Sequence, residues 1–286
     1  MMGHVVAKRD AEGHTGRIVI SRPEKRNAWT AAMVRAVRDH VVDFSCDDAI
    51  KVVIFSAEGD DFSTGLDPDE VESILREAPG GESKKFPSQR ARLHAYDSLW
   101  WGLDGLYTRV LQCPKITLLE CRGACLEIGL YLSLCCDLVV ASEDTHFGNP
   151  RWQHIGVDGD VSMLALRVGW KRAKELLVLG QTWSAREAAG YDLVDVVAPH
   201  DALGDAVEGL AARCSQIMRD GIAAEKHVVL ASLAKLQVGT GFAAATAVGA
   251  WATNVKFRPA EFNFLRERRN AGTDAAVQAA RKHFGR

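Results

Sequence analysis

The sequence predicts an α/β fold with a helical C-terminal region, on three observations. Short apolar runs of β type alternate with stretches of helical periodicity through the first 200 residues, the pattern of a sheet layered with helices. From about residue 200 the chain reads almost entirely as helix. The length of 286 residues, with 47% apolar and 25% charged residues, is enough for one large core with an appendage. The boundary is placed between a layered core at 1–200 and a helical region at 201–286.

The elements follow in order. "GRIVISRP" (16–23) is a strand that ends at a proline. "TAAMVRAVRDHVVDF" (30–44) has apolar residues at helical spacing, with Thr30 as its N-cap. "KVVIFSAEG" (51–59) is a buried strand closed by a glycine turn, a design repeated in "PKITLLECRG" (114–123) and "CDLVVASED" (136–144). "LVDVVAP" (193–199) completes the series. Between the second and third strands, "EAPGGESKKFPSQ" (77–89) has the composition of a mobile segment, and helical periodicity resumes at 93–111. Helices are expected at 201–219, 223–237, 240–256 and 259–269, followed by a basic tail. Their wide apolar faces either cover the core or meet another subunit.

Composition excludes some roles. A formal charge of −2 with interspersed signs makes no electrostatic case for nucleic acid or an acidic membrane. No run of about twenty apolar residues is present, and the first residues lack a signal-peptide core, so a cytoplasmic location is the default expectation. The seven cysteines are read as reduced, mostly buried thiols. No metal site is expected, since Cys121 and Cys125 have no second ligand pair at zinc spacing.

The chain has no Rossmann or Walker glycine loop, no G-x-S-x-G elbow and no H-E-x-x-H. Two strand-to-helix turns remain, "DDFSTGLDPDE" (60–70) and "CRGACLEIGLYLSLCCD" (121–137). Each leaves backbone N–H groups free where a helix begins, and two such amides aimed at one point make an oxyanion hole.

"SRPEKRNAWT", "FSTGLD", "RGACLEIGLYLSLCCDLVVASEDTHFGNP" and "EFNFLRERR" occur in the order and spacing of the crotonase (enoyl-CoA hydratase/isomerase) superfamily, which the chain resembles over roughly residues 16–269. The resemblance implies a spiral of ββα units with a C-terminal helical trimerisation module, a homotrimer or a dimer of trimers. It also implies an acyl-CoA thioester as substrate and no further cofactor. The two amides that stabilise a thioester enolate would be those of Leu66 and Ile128, and the adenine end of CoA would lie along Lys25, Arg26, Asn27, Ala28, Thr64 and Gly65.

The chain departs from that pattern where the acid–base groups belong. The family's three-glycine run reads Glu127-Ile128-Gly129, which crowds the hole. The two glutamates of enoyl-CoA hydratases fall on Tyr131 and on Arg151, or Trp152 with one inserted residue. Two-glutamate hydration is therefore not expected. The segment "WQHIGVDGD" (152–160) instead resembles the 4-chlorobenzoyl-CoA dehalogenase branch, where an aspartate follows a tryptophan by eight residues, as Asp160 follows Trp152. "SLWWG" resembles that branch's Trp-Trp-His run, with Gly102 in place of the histidine. Dienoyl-CoA isomerases also place a carboxylate at the position of Asp160.

A carboxylate among apolar neighbours is a better base or nucleophile than a surface acid. Asp160 is therefore the expected catalytic carboxylate, for isomerisation or hydrolysis, with capping of the following helix as the competing role. Glu127, Tyr131 and His154 are further candidates, each with an ordinary structural role open to it. Asp158 is read as a turn residue. Trp152 and Trp101 are expected to wall an acyl pocket, with Trp100 and Tyr96 nearby. Two other readings stay open: a hydratase with relocated acids such as Glu127, and a catalytically degenerate scaffold that binds acyl-CoA.

Overall fold

The computed structural model describes residues 3–70, 89–155, 160–251 and 257–285. Asp158 and most of the glycine- and proline-rich section at 77–89 lie outside the described residues.

The strands in chain order are β1 (His4–Arg9), β2 (Thr15–Ser21), β3 (Val52–Ala57), β4 (Ile116–Cys121), β5 (Ala124–Leu126), β6 (Leu138–Ser142), β7 (His146–Gly148), β8 (Thr182–Ser184) and β9 (Val196–Ala198). Among the described residues they form one sheet in the order β1-β2-β3-β4-β6-β9 and a smaller one in the order β5-β7-β8. In the larger sheet β1 pairs antiparallel with β2, and the other neighbours are parallel. In the smaller one β5 and β7 are parallel and β8 is antiparallel to β7.

The central strands are apolar on both faces because both faces are covered. Val53, Phe55 and Leu119 face the main core with the helix Ala31–Cys46. Val52, Ile54, Leu118 and Val140 face Val207, Ala211 and Cys214 of the helix Leu203–Ser215. Each fully buried Val, Leu or Ile contributes about 1.5–3 kcal/mol relative to exposure. The helix Ala31–Cys46 begins as expected, with Thr30 Oγ1 accepting from the Met33 N–H at 3.2 Å.

The region after residue 200 is tied to the core. Its first helix is the cover of the sheet's second face, and Val238 and Ala245 join the main core. Lys226, on the helix Arg219–Lys235, donates to both oxygens of Asp137 at 2.6 Å. Asp137 in turn accepts the Thr117 N–H at 2.8 Å, so one carboxylate joins β4, the start of β6 and a C-terminal helix. Val228, Val229, Leu236 and Trp251 are each more than half exposed on one chain. Among the described residues, no single helix is long and apolar enough to cross a membrane.

Two expectations need correction. The segment expected to be a basic tail is the helix Thr273–Phe284, whose Ala276 and Ala280 pack against Phe264. Alanines at helical spacing make a weak apolar signal. Strands β1, β5, β7 and β8 were also not expected. The last three are three residues long, too short to show alternation, and β1 has mostly exposed residues.

Candidate active site

The site is assembled from three segments held together by buried polar groups. In "RPEKRNAWT", Arg26 and Asn27 both have left-handed backbones (φ 50° and 49°), so the loop doubles back. Asn27 is the reason it stays there. Its Oδ1 accepts the Arg22 N–H at 2.7 Å, and its Nδ2 donates to the carbonyls of Glu58 and Asp61 at 2.7 Å each. The Asp61 carboxylate accepts from Arg26 Nε and from the Ala124 N–H, both at 2.7 Å, which raises the Arg26 pKa further.

The second segment is the turn at 63–67. Ser63 donates its N–H to Ala124 and accepts from Leu126, and Trp29 bonds to Gly65 and Asp67 from the other side, all at 2.8 Å. The turn therefore lies clamped between the 22–29 loop and β5. Gly65 has φ +100°, and a Cβ there would come within 2.2 Å of Glu127 Oε2, so only glycine fits.

The third segment is the start of the helix Ile128–Cys135, in which every residue is buried. Glu127 is its N-cap, with φ 48° and ψ −98°, an uncommon backbone for a non-glycine residue. That backbone turns the Glu127 side chain toward the 63–67 turn, where Oε2 accepts the Leu66 N–H at 3.0 Å. Glu127 Oε1 lies 3.8 Å from Arg151 Nη1, and the same nitrogen lies 3.9 Å from Asp160 Oδ2. Arg151 also donates to the Tyr96 hydroxyl and lies over that ring. The Ile128 N–H, at the first position of its helix, has no partner within that helix.

These groups open onto a cleft of about 560 Å3. Lys25, Arg26, Ala28, Thr64 and Leu66 form one side, and Phe264, Leu265 and Val277 from the C-terminal helices form another. Tyr96, Trp100, Glu127, Arg151 and His154 lie between them.

The profile of the enoyl-CoA hydratase/isomerase family matches residues 11–250. The chain belongs to that family. Relatives include EchA13 of Mycobacterium tuberculosis, a candidate enoyl-CoA hydratase, 31% identical over 72% of this chain and 67% of its own. The 4-chlorobenzoyl coenzyme A dehalogenase-2 of an Arthrobacter species is 31% identical over 63% of this chain and 61% of its own. An enoyl-CoA hydratase/isomerase from Xanthobacter autotrophicus Py2 superposes with a TM-score of 0.79 at 25% identity, covering 98% of this chain and 97% of that one. The crotonase-type α/β fold expected from the motifs is therefore present.

Within this family member the expected site residues divide. Lys25, Arg26, Ala28 and Thr64 line the cleft, whereas Asn27 is buried and acts on the loop, and Gly65 makes room for Glu127. Glu127 and His154 line the cleft, and His154 stacks on Phe264 with ring centroids 4.3 Å apart. Tyr131 is fully buried, its hydroxyl accepting from Asn149 Nδ2 at 3.1 Å.

Asp160 occupies the N-cap position of the helix Val161–Val168 but makes no cap hydrogen bond. Its carboxylate turns inward, accepts the Trp101 indole N–H at 2.8 Å, and is 5% exposed. It is not among the residues that line the cleft, because Arg151 and Trp101 stand around it. The expected acyl wall is corrected in the same way. Trp101 is buried and stacks on Phe242, and Trp152 faces outward at 38% exposure, while Tyr96 and Trp100 are the aromatic residues at the cleft.

Burial, and then the negative charges of Asp160 and Glu127, push the Tyr107 phenol well above its usual range. The central role of Arg151 was hidden because the sequence marked it only as the loss of a glutamate. The cleft wall from Phe264, Leu265 and Val277 had no local signal, since it depends on how distant helices dock.

Proposed function

We propose that this family member isomerises an acyl-CoA thioester through an enolate, with Glu127 as the carboxylate that moves the proton. The observation that carries this is the Leu66–Glu127 contact: a cleft-facing backbone N–H already holds a carboxylate oxygen at 3.0 Å. In this reading a thioester oxygen would take the place of that carboxylate oxygen on the amide. The Leu66 and Ile128 amides would stabilise the charge that develops when a proton leaves the α-carbon. The C–H electron pair moves into the thioester carbonyl, the proton goes to Glu127, and it returns at another carbon of the delocalised acyl group.

Asp160, behind Arg151, fixes the guanidinium beside Glu127 in this reading. Lys25, Arg26 and Thr64 suit the phosphate and adenine end of CoA, and the exposed apolar residues of the C-terminal helices suit a homotrimer. The oxyanion amides, the acyl-CoA substrate and the cytoplasmic setting are parts of the proposal.

The test is a panel of enoyl-, dienoyl-, 4-chlorobenzoyl- and cyclic ketoacyl-CoAs, with products followed by mass spectrometry. Glu127→Gln should lower turnover by about 100-fold or more, the usual contribution of a general base. Asp160→Asn should lower it less. The reverse order would make Asp160 the reacting carboxylate, as base or nucleophile. A second reading, a scaffold that binds acyl-CoA without turning it over, draws on the burial of Tyr131 where the hydratase glutamate belongs. Affinity without product from any member of the panel would favour it.

A further inference from the structure

The contact that supports a thioester site also closes it. Glu127 Oε2 and a thioester oxygen cannot both lie 3.0 Å from the Leu66 N–H along the same direction. A carboxylate on an amide N–H forms a charge-assisted hydrogen bond, stronger than the one a neutral thioester carbonyl makes with the same donor. A bound acyl group must therefore move the carboxylate aside.

The surroundings provide for that movement. The missing side chain at Gly65 leaves the space that Oε2 fills, since a Cβ there would lie 2.2 Å from it. The other oxygen, Oε1, is already 3.8 Å from Arg151 Nη1, so a carboxylate leaving the amide has a guanidinium within reach. Arg151 is held for this by Asp160, 3.9 Å from the same nitrogen, and by the Tyr96 hydroxyl.

We infer that Glu127 is an internal occupant of the Leu66 amide that an acyl carbonyl must displace onto Arg151, and that it thereby weakens binding of acyl-CoA while leaving binding of free CoA unchanged. This rests on the reading of the cleft as a thioester site. In the resting state Glu127 blocks the amide. In the displaced state it lies beside Arg151, off the amide and close to the acyl group. A ligand with no acyl carbonyl, such as CoA itself, leaves the contact untouched.

Calorimetric titration of the full chain with butanoyl-CoA and with CoA tests this. Glu127→Gly suits the positive φ and removes the carboxylate, and it should tighten butanoyl-CoA by about 10-fold, the value of one hydrogen bond to a charged group. Its affinity for CoA should change by less than about 2-fold, on the same scale. Glu127→Gln, which keeps the size and loses the charge, should shift butanoyl-CoA in the same direction. Arg151→Met should weaken butanoyl-CoA, and adding Glu127→Gly to it should restore tight binding. Unchanged or weaker butanoyl-CoA binding in both Glu127 variants, with thermal melts showing that they fold, overturns the inference. Failure of the unaltered chain to bind either ligand overturns the thioester reading itself.

Discussion

The Trp101 indole N–H points at Asp160 Oδ1 from 2.8 Å, inside a layer of aromatic rings that excludes water from both. Trp101 stacks on Phe242 at 4.3 Å and meets Tyr107 at 4.6 Å, so the indole has little freedom to turn away. A buried carboxylate is tolerated only where such donors are fixed. Trp101→Phe keeps the ring and removes the donor. It should destabilise the fold by about 1–3 kcal/mol, read as a shift in the urea midpoint at constant slope. An unchanged midpoint would mean that the indole N–H contributes little to satisfying Asp160.

Gly65 and Glu127 should be energetically coupled. Gly65→Ala places a methyl group on Glu127 Oε2 and also strains a backbone at φ +100°, whereas Glu127→Gly removes the first problem and not the second. The double variant should be more stable than the sum of the singles by about 0.5–3 kcal/mol, the range for residues in contact. A cycle of urea unfolding measurements gives the coupling directly, and an additive result would mean that the carboxylate already avoids residue 65.

Asn27→Ala should loosen the 22–28 loop while leaving the core intact. It strips three hydrogen bonds from backbone groups of Arg22, Glu58 and Asp61, and leaves alanine at a left-handed position. A loss of about 1–3 kcal/mol is expected. Hydrogen exchange should localise the change to residues 22–28 and 58–61. If the cleft takes CoA as proposed, the same variant should lower that affinity, since Lys25 and Arg26 lose their fixed place at the cleft.

Alkaline stability should depend on Tyr107. Its folded pKa lies well above the ordinary value of 10.0, because burial and nearby carboxylates oppose the phenolate. Between the two values the unfolded chain has released a proton that the folded chain retains, so stability falls as pH rises. The contribution is complete below about pH 10 and is lost above it. In urea titrations across this range, Tyr107→Phe should show a shallower alkaline decline, and an identical decline would place the effect elsewhere.

Thiol accessibility gives an independent check on the core. Cys46 is exposed and the other six cysteines are buried. Burial raises Cys125, Cys135 and Cys136, keeping them as unreactive thiols. The native chain should react with one equivalent of a thiol reagent at neutral pH and the unfolded chain with seven.

The fold was legible where packing is two-sided and local. The β3 run "VVIFSA" and the cap at Thr30 read directly, because burial on both faces and a side-chain cap each leave a mark within a few residues. The turn at 60–70 was expected to leave backbone amides free, yet the Leu66 N–H is taken by Glu127 Oε2. What was not legible is orientation. Asp160 has the composition and position of a helix cap, and only the arrival of Trp101, 59 residues earlier in the chain, turns it inward. Glu127 looked like an intruder in a glycine run, yet its left-handed backbone aims it at Leu66. Those outcomes depend on contacts between segments far apart in sequence, which periodicity and local chemistry do not encode.

Arg268 bonds to Asp69 across 199 positions of sequence, and the helix that carries it supplies Phe264 to the cleft. Closing a loop of that length costs more chain entropy than pairing neighbouring strands. The cleft is thus open on one side until residues 264–277 dock. Until then the sheet and the Leu66 turn can be complete while the cleft still lacks one of its sides. A ligand that contacts both sides would favour the docked state of these helices by mass action.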